Sequence, residues 1–393
     1  MNESSVESAV ALARANRGGL ATLDDTDPFE RYLKFQLQYR YSGSKNIEPL
    51  LRHAESDGAV WEAAKFVSFQ LWNEGRYQDS ERFARLAVKR VEDTGNQSEN
   101  DQAWAYKTLA TALSYTGKLD EALESVNRAL ELRPEYQGAL GDKTWILRRA
   151  GQLDAAMRAS DLALEIKGGF AFAEVSRGYI YRWRGREEDA LDAADRAWEI
   201  ADSDYRKGQV FALRSSIASK FGRYDDAMAL ARQAQDVDPS VWHQTQLAYA
   251  LWLSGRGQEG VSLLRSLKES NHPEVMNELA YILAEIDQDL DEAERLARAA
   301  VAQSEVPYML NTLGYVLYKR GKLDEAEKYL RSAYEKKNKS NAFDAYSLAL
   351  VLDAKGDKRG AVALWREALT KHPSVHTRAR IEASLAKQTA SLQ

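Results

Sequence analysis

The 393-residue chain contains no cysteine, which excludes disulfides, thiolate metal sites and a cysteine nucleophile. No segment reaches the ~18 consecutive apolar residues that suggest a membrane span, so no membrane insertion is expected. The opening MNESSVESAVALARANRGG lacks the charged start and apolar core of a secretory leader. No glycine-rich phosphate loop and no G-x-S-x-G turn occurs. A net charge of −5 and a pI near 5.8 argue against a general nucleic-acid or anionic-membrane surface. Proline is scarce, at seven residues. At 44% hydrophobic and 29% charged the composition is that of a folded globular chain. The expectation is a cytoplasmic protein that is not an enzyme and needs no cofactor.

What the sequence has is repetition. The string GKLDEA begins at Gly117 and again at Gly321, 204 residues or six times 34 apart, and a 34-residue period marks a repeat architecture. A glycine followed five residues later by a small residue recurs at Gly75/Ser80, Gly117/Ala122, Gly151/Ala156 and Gly185/Ala190. It continues at Gly222/Ala227, Gly255/Gly260, Gly321/Ala326 and Gly356/Ala361. The 66-residue gap after Gly255 holds one repeat without its glycine, where Leu290 and Ala293 match Leu119 and Ala122, making nine.

Each repeat reads as two helices. Small residues recur twelve positions before the anchor, from Ser68 and Ala110 to Gly314 and Ala349, and seven after it, from Ala87 to Ala368. Such residues let two helix backbones cross closely. Glycine ends the first helix in the left-handed conformation. Asp120 and Glu121 then fall at the start of the second helix, where its dipole favours negative charge. Leu119 packs back as a staple. Pro134, Pro239, Pro273, Pro307 and Pro373 all sit at junctions between repeats.

With Leu313-Gly314 in the first helix, Ala326 opening the second and endings like Pro134, the pattern resembles the tetratricopeptide repeat family over about residues 59–373. The resemblance implies an all-α, right-handed solenoid of about nine helix-turn-helix repeats with a groove lined by first helices, used to bind peptides or partner proteins. The family's first-helix tryptophan is replaced here by residues such as Tyr106 and Leu310, and Trp365 stands on the second helix of the ninth repeat. Some members grip a C-terminal carboxylate with a Lys or Arg and an Asn four residues on. Here Phe69 follows Lys65 and Thr111 follows Lys107, so that clamp is absent. Residues 28–58 read as a degenerate helical pair with its turn at Gly43, an N-terminal cap. Residues 374–393 read as a polar capping helix with a sparse stripe of Val375, Ile381 and Leu385. Residues 1–27 read as a mobile segment holding one short helix from Glu3 to Ala15. The surplus in VEDTGNQSEND, 91–101, is expected to be an open, protease-sensitive loop.

Metal chemistry is poorly served. His372 and His376 are four apart, but Pro373 intervenes. Asp287, Asp289 and Asp291 are spaced like the start of a calcium loop, but Glu292 stands where its glycine belongs and Arg298 where its glutamate belongs, which leaves helix capping as the reading.

The family's helical wheel places a series of side chains on the groove. Repeats one and two contribute Lys65, Phe69, Trp72, Trp104, Lys107 and Tyr115, and repeats three and four Trp145, Arg148, Arg149, Phe172, Tyr179, Arg182 and Trp183. Repeats six and seven add Trp242, Tyr249, Trp252 and Tyr281, and repeat eight Tyr308, Asn311, Tyr315 and Tyr318. Part of this set packs between neighbouring helices; the rest supplies large contact area at low entropic cost. Charge is uneven along the track. Lys65, Lys107, Arg148, Arg149, Arg182 and Lys220 outnumber Glu62 and Asp142 in repeats one to five, whereas Glu274, Glu278, Glu285 and Asp353 outnumber Lys319 later. The expected function is a scaffold that holds an extended peptide or partner helix in an aromatic-lined groove. The alternatives are a groove for a glycan or single-stranded nucleic acid, or a regulatory subunit of a separate enzyme.

Overall fold

The computed structural model describes residues 26–41, 46–95, 97–166, 170–267, 271–337 and 339–390. The helix expected at Glu3–Ala15 and the turn at Gly43 lie outside the described residues. Among the described residues every regular element is an α-helix, and the chain is an all-α helical-repeat solenoid. Helices Pro28–Tyr41 and Glu48–Glu55 come first. Among the described residues, nine helix pairs then run from Trp61–Asn73 with Tyr77–Thr94 to Ala342–Ala354 with Lys358–Leu369, followed by a last helix, Val375–Ala390.

The turn has one construction in eight of the nine pairs. In the first repeat the amide of Arg76 donates to Leu71 O at 2.9 Å and that of Gly75 to Trp72 O at 3.0 Å, the two bonds of a Schellman motif. The same pair of bonds closes the turns at Gly151, Gly185, Gly222, Gly255, Gly321 and Gly356. In the repeat that lost its glycine, Asp287 takes the left-handed place at φ 52 and the Gln288 amide reaches Leu283 O at 2.9 Å. Asp is one of the few side chains that visit this region, because its short polar group bonds locally.

The small residues work as crossing points. Ser68 and Ser80 share a hydrogen bond at 3.1 Å, and Ser215 Oγ donates to Ala227 O at 2.7 Å. A Cβ on Gly260 would lie 2.8 Å from Ala248 O. Most of the surplus stretch 91–101 is helical. These residues lengthen the flanking helices, which reach Thr94 and resume at Glu99, because continuing a helix satisfies backbone groups that a loop would leave to water.

The chain divides into two compact bodies, Met1–Leu113 with Glu124–Pro134 and Ser114–Leu123 with Glu135–Gln393. The first has a core built on Tyr32, Leu50, Phe66, Leu71 and Phe83. The second holds a larger core running from Ala248 to Ile381.

Within the second body the solenoid meets itself. A Cβ on Gly117 would lie 2.7 Å from Glu305 O, and one on Gly151 2.5 Å from Lys337 O, so backbone abuts backbone at both turns. Gly185 and Gly222 carry the series on to His372 and Val375. Successive turns of the early repeats therefore pack on successive junctions of the late ones.

Candidate binding site

In the first body the expected groove residues gather on Trp61–Asn73 and Glu99–Tyr115. Phe69 and Trp72 stack with ring centres 5.8 Å apart. The Lys65 amine stands 4.6 Å from the Trp61 ring and 5.1 Å from the Trp104 ring; burial pulls it below its ordinary value against the opposing pull of Glu62 and Asp101. Phe69 is 53% and Trp104 43% exposed. Lys107 lies on the same helix as Trp104, half-buried.

In the second body the remaining residues do not line an open track. The self-contact turns the basic first helices of the early repeats toward the acidic ones of the late repeats. Arg149 stands 4.4 Å over the Trp145 ring and also 5.9 Å from the ring of Tyr308, which comes from the eighth repeat. Trp145 in turn packs on Tyr115 at 4.9 Å. Arg148 lies 4.8 Å over Tyr179, and burial brings its guanidinium down to about 10. Lys337, on the junction before the ninth repeat, stands 5.6 Å over Trp183. The expected arrangement, with a basic end and an acidic end to one extended groove, is replaced here by two faces across an interior space. Wheel positions specify a face of each helix but not which distant helix that face meets.

The space is a chamber of about 320 Å³ lined by Arg182, Trp183, Lys220, Tyr249, Asn277, Glu278, Tyr281, Tyr308 and Asn311, with Asp344 from the first turn of Ala342–Ala354 and Lys337 and His372 from the junctions. Tyr308 is 37% exposed, yet burial pushes its hydroxyl well above the ordinary range. Both hold because the surface it exposes faces an interior chamber. Lys220 is drawn down to about 7 by burial and then by Arg182, while its amine donates to Trp183 O at 3.1 Å and His372 O at 2.6 Å. Arg182 Nε donates to Ser216 O at 2.8 Å. Asn311 Nδ2 donates to Asp344 Oδ1 at 2.8 Å, and Lys337 stands 3.5 Å from the other oxygen of that carboxylate.

Other expected site residues are engaged by the chain itself. The last helix does more than cover an end: Arg380 reaches Glu285 at 2.8 Å, the Tyr315 hydroxyl at 2.9 Å and the Tyr346 hydroxyl at 3.2 Å. Burial alone would lower Arg380, but Glu285 and the two tyrosines hold it far above its ordinary value. His376 sets its ring 5.2 Å from Trp252, and Trp252 packs on Tyr249 and Tyr281. Tyr318 stacks beside Tyr315 at 6.2 Å. Phe172, with Phe170, fills the space where Gly141 lacks a side chain. Trp242, 41% exposed, lies edge-on to His243.

A second cleft, about 530 Å³, lies at Asp289–Glu292, Arg295 and Arg320. Its carboxylates are paired within the chain, Asp289 and Glu292 with Arg265 and Asp291 with Arg320. Neighbouring Asp287 takes Lys319 at 2.5 Å. Residues that the sequence reading missed are Lys337 and His372, which come from junctions, Asp344 in the first turn of Ala342–Ala354, and Arg380. Only Arg380 left a trace, next to Ile381 on the sparse apolar stripe.

Comparison with known proteins places the repeats. A tetratricopeptide repeat family model matches residues 64–135, and a second matches 107–170 and 282–342. No curated protein sequence matches the chain. Among solved structures, the APC/C hetero-tetramer Cut9–Hcn1 superposes with a TM-score of 0.51 at 16% identity, covering 97% of this chain and 83% of that one. TTC0263, a thermophilic TPR protein of Thermus thermophilus, gives a TM-score of 0.42 at 20% identity over 49% of this chain and 100% of its own. At 16% identity the Cut9–Hcn1 likeness bears on the fold alone.

Proposed function

Because the chain is a tetratricopeptide repeat protein, and such repeats generally mediate protein–protein interaction, we propose that it is a non-catalytic scaffold whose partner docks on the first-helix face of the first two repeats. One observation carries the reading. Phe69 and Trp104 are 53% and 43% exposed on neighbouring first helices of the first body, whereas most of the expected aromatic positions of the second body pack against its own chain. Stacked Phe69 and Trp72, with the Lys65 amine held over Trp104, form a firm apolar surface whose aromatic anchors lose little entropy when covered. The partner is a protein segment, extended or helical, that presents apolar side chains to these rings.

The test is a photo-crosslinking amino acid placed at Phe69 and, as control, at Leu162, which is equally exposed at 53%. The expected result in the native host is a discrete adduct with one protein from position 69 and none from 162, with the crosslinked partner peptide rich in apolar residues. Identical adduct patterns from both positions, or none from 69, overturn the reading.

A further inference from the structure

The chamber in the second body carries charges of both signs, but only one sign is left unanswered. Its cations have partners within the chain. Arg182 gives Nε to Ser216 O, Lys220 donates to two carbonyls, and Lys337 faces Asp344. On the acceptor side two adjacent residues of the seventh repeat differ: Asn277 Oδ1 and Glu278 Oε1 are buried without a hydrogen-bond partner. No cation among the described residues pairs with Glu278, and burial alone raises its carboxyl to about 8. An unpartnered carboxylate taken out of water is costly unless something donates to it, and a buried unsatisfied group of this kind calls for a specific cause.

The same chamber supplies aromatic surface next to that carboxylate. Tyr249, Tyr281 and Tyr308 line it together with Glu278. The rings of Tyr249 and Tyr281 are 6.3 Å apart. Burial raises the hydroxyls of Tyr249 and Tyr308, and the charge of Glu278 is among those that raise them further. Electron-rich ring faces beside an unpaired carboxylate suit a compact cation with several donors. Exposed His372, at the lining, leaves a way in from solvent.

We propose that the chamber binds an alkylammonium group. The ammonium stands against the Glu278 carboxylate beside Asn277, and its hydrocarbon chain lies against Tyr249, Tyr281 and Tyr308. At about 320 Å³ the space admits a short aliphatic amine. The group has two sources, a free polyamine or the lysine side chain of a polypeptide, and the chemistry at Glu278 is common to both. The site is separate from the surface at Phe69 and stands or falls independently of it.

Isothermal titration of the full chain with n-pentylamine and with 1-pentanol at about pH 9, where Glu278 is ionised and the alkylammonium keeps its proton, tests the charge requirement. The expected result is saturable binding of the amine, at least about tenfold weaker binding of the alcohol, and at least about a tenfold loss of amine affinity in Glu278→Gln. Phe69→Ala leaves the amine affinity unchanged, which separates this site from the docking surface. Cadaverine and Nα-acetyl-lysine methylamide then distinguish the sources: tighter binding of the diamine assigns a free polyamine, and tighter binding of the lysine derivative assigns a polypeptide side chain. Equal binding of pentylamine and pentanol, an unchanged affinity in Glu278→Gln, or no saturation by any amine up to about 10 mM overturns the proposal. The comparison of amine with alcohol uses the native chain and does not depend on how well the variant folds.

Discussion

Replacing a turn glycine by alanine has two separable effects here, and Gly117 and Gly255 separate them. Gly117 has φ +87 and Gly255 φ +81, so an added Cβ strains the two backbones alike, by about 1–2 kcal/mol each. Gly255 has nothing within 4 Å of the position a Cβ would take. At Gly117 that position lies 2.7 Å from Glu305 O, 2.9 Å from Glu305 C and 3.3 Å from Val306 N. These are backbone atoms that cannot swing aside like the end of a side chain. Overpacking of this kind adds about 1–3 kcal/mol. Gly117→Ala should therefore lower unfolding stability by about 2–5 kcal/mol and Gly255→Ala by about 1–2. Urea denaturation of the two variants reads the difference. Hydrogen exchange locates it, because the amides of Met309 and Leu310 both bond to Val306 O, at 3.0 and 3.1 Å. In a solenoid, local damage stays near its neighbours, so these amides should exchange faster in Gly117→Ala, although Gly117 is nearly two hundred residues away in sequence. Equal destabilisation by the two variants, with Met309 and Leu310 unaffected, would refute the claim that the second body closes on itself at this turn.

Three other outcomes follow from buried charge. Glu278 sits at about 8 in the folded chain against an ordinary 4.5, so the folded state keeps a proton the unfolded chain releases, and stability falls as pH rises between those values. Glu278→Gln should abolish that decline and be more stable than wild type by about 2–3 kcal/mol above pH 8, a figure reduced for partial solvent access; urea midpoints with the same slope between pH 5 and 8 in both proteins would contradict it. Lys220 has the opposite sign: its folded value of about 7 against 10.5 means that stability rises across that interval, and it should do so in Glu278→Gln as in wild type. Arg380→Met leaves Glu285 without its 2.8 Å partner, at a cost of about 2–4 kcal/mol. Hydrogen exchange within Val375–Ala390 should quicken, and unchanged protection there would show that the helix is held by its apolar stripe alone.

The repeat order was legible in the sequence because it rests on neighbours. A Schellman turn needs one residue in the left-handed region, and a helix crossing needs a small residue on each side. Both leave a fixed spacing, as Gly151 with Ala156 or Ser68 with Ser80 shows. Even the repeat with Asp287 in place of glycine keeps Ala293 at its crossing, buried to 0% exposure. The aromatic and charged first-helix positions could be named for the same reason, since a helical face follows from periodicity alone.

The tertiary structure alone decided what those faces meet. Ser304 Oγ donates to Tyr115 O, and Lys220 to His372 O, across 189 and 152 residues, and contacts at such separations leave no period to read. Whether Glu278 faces water, a cation or an unfilled chamber depends on how far the second body curls before Gly117 reaches Glu305. That closure sums small rotations over many repeats, and no local pattern of residues encodes the sum.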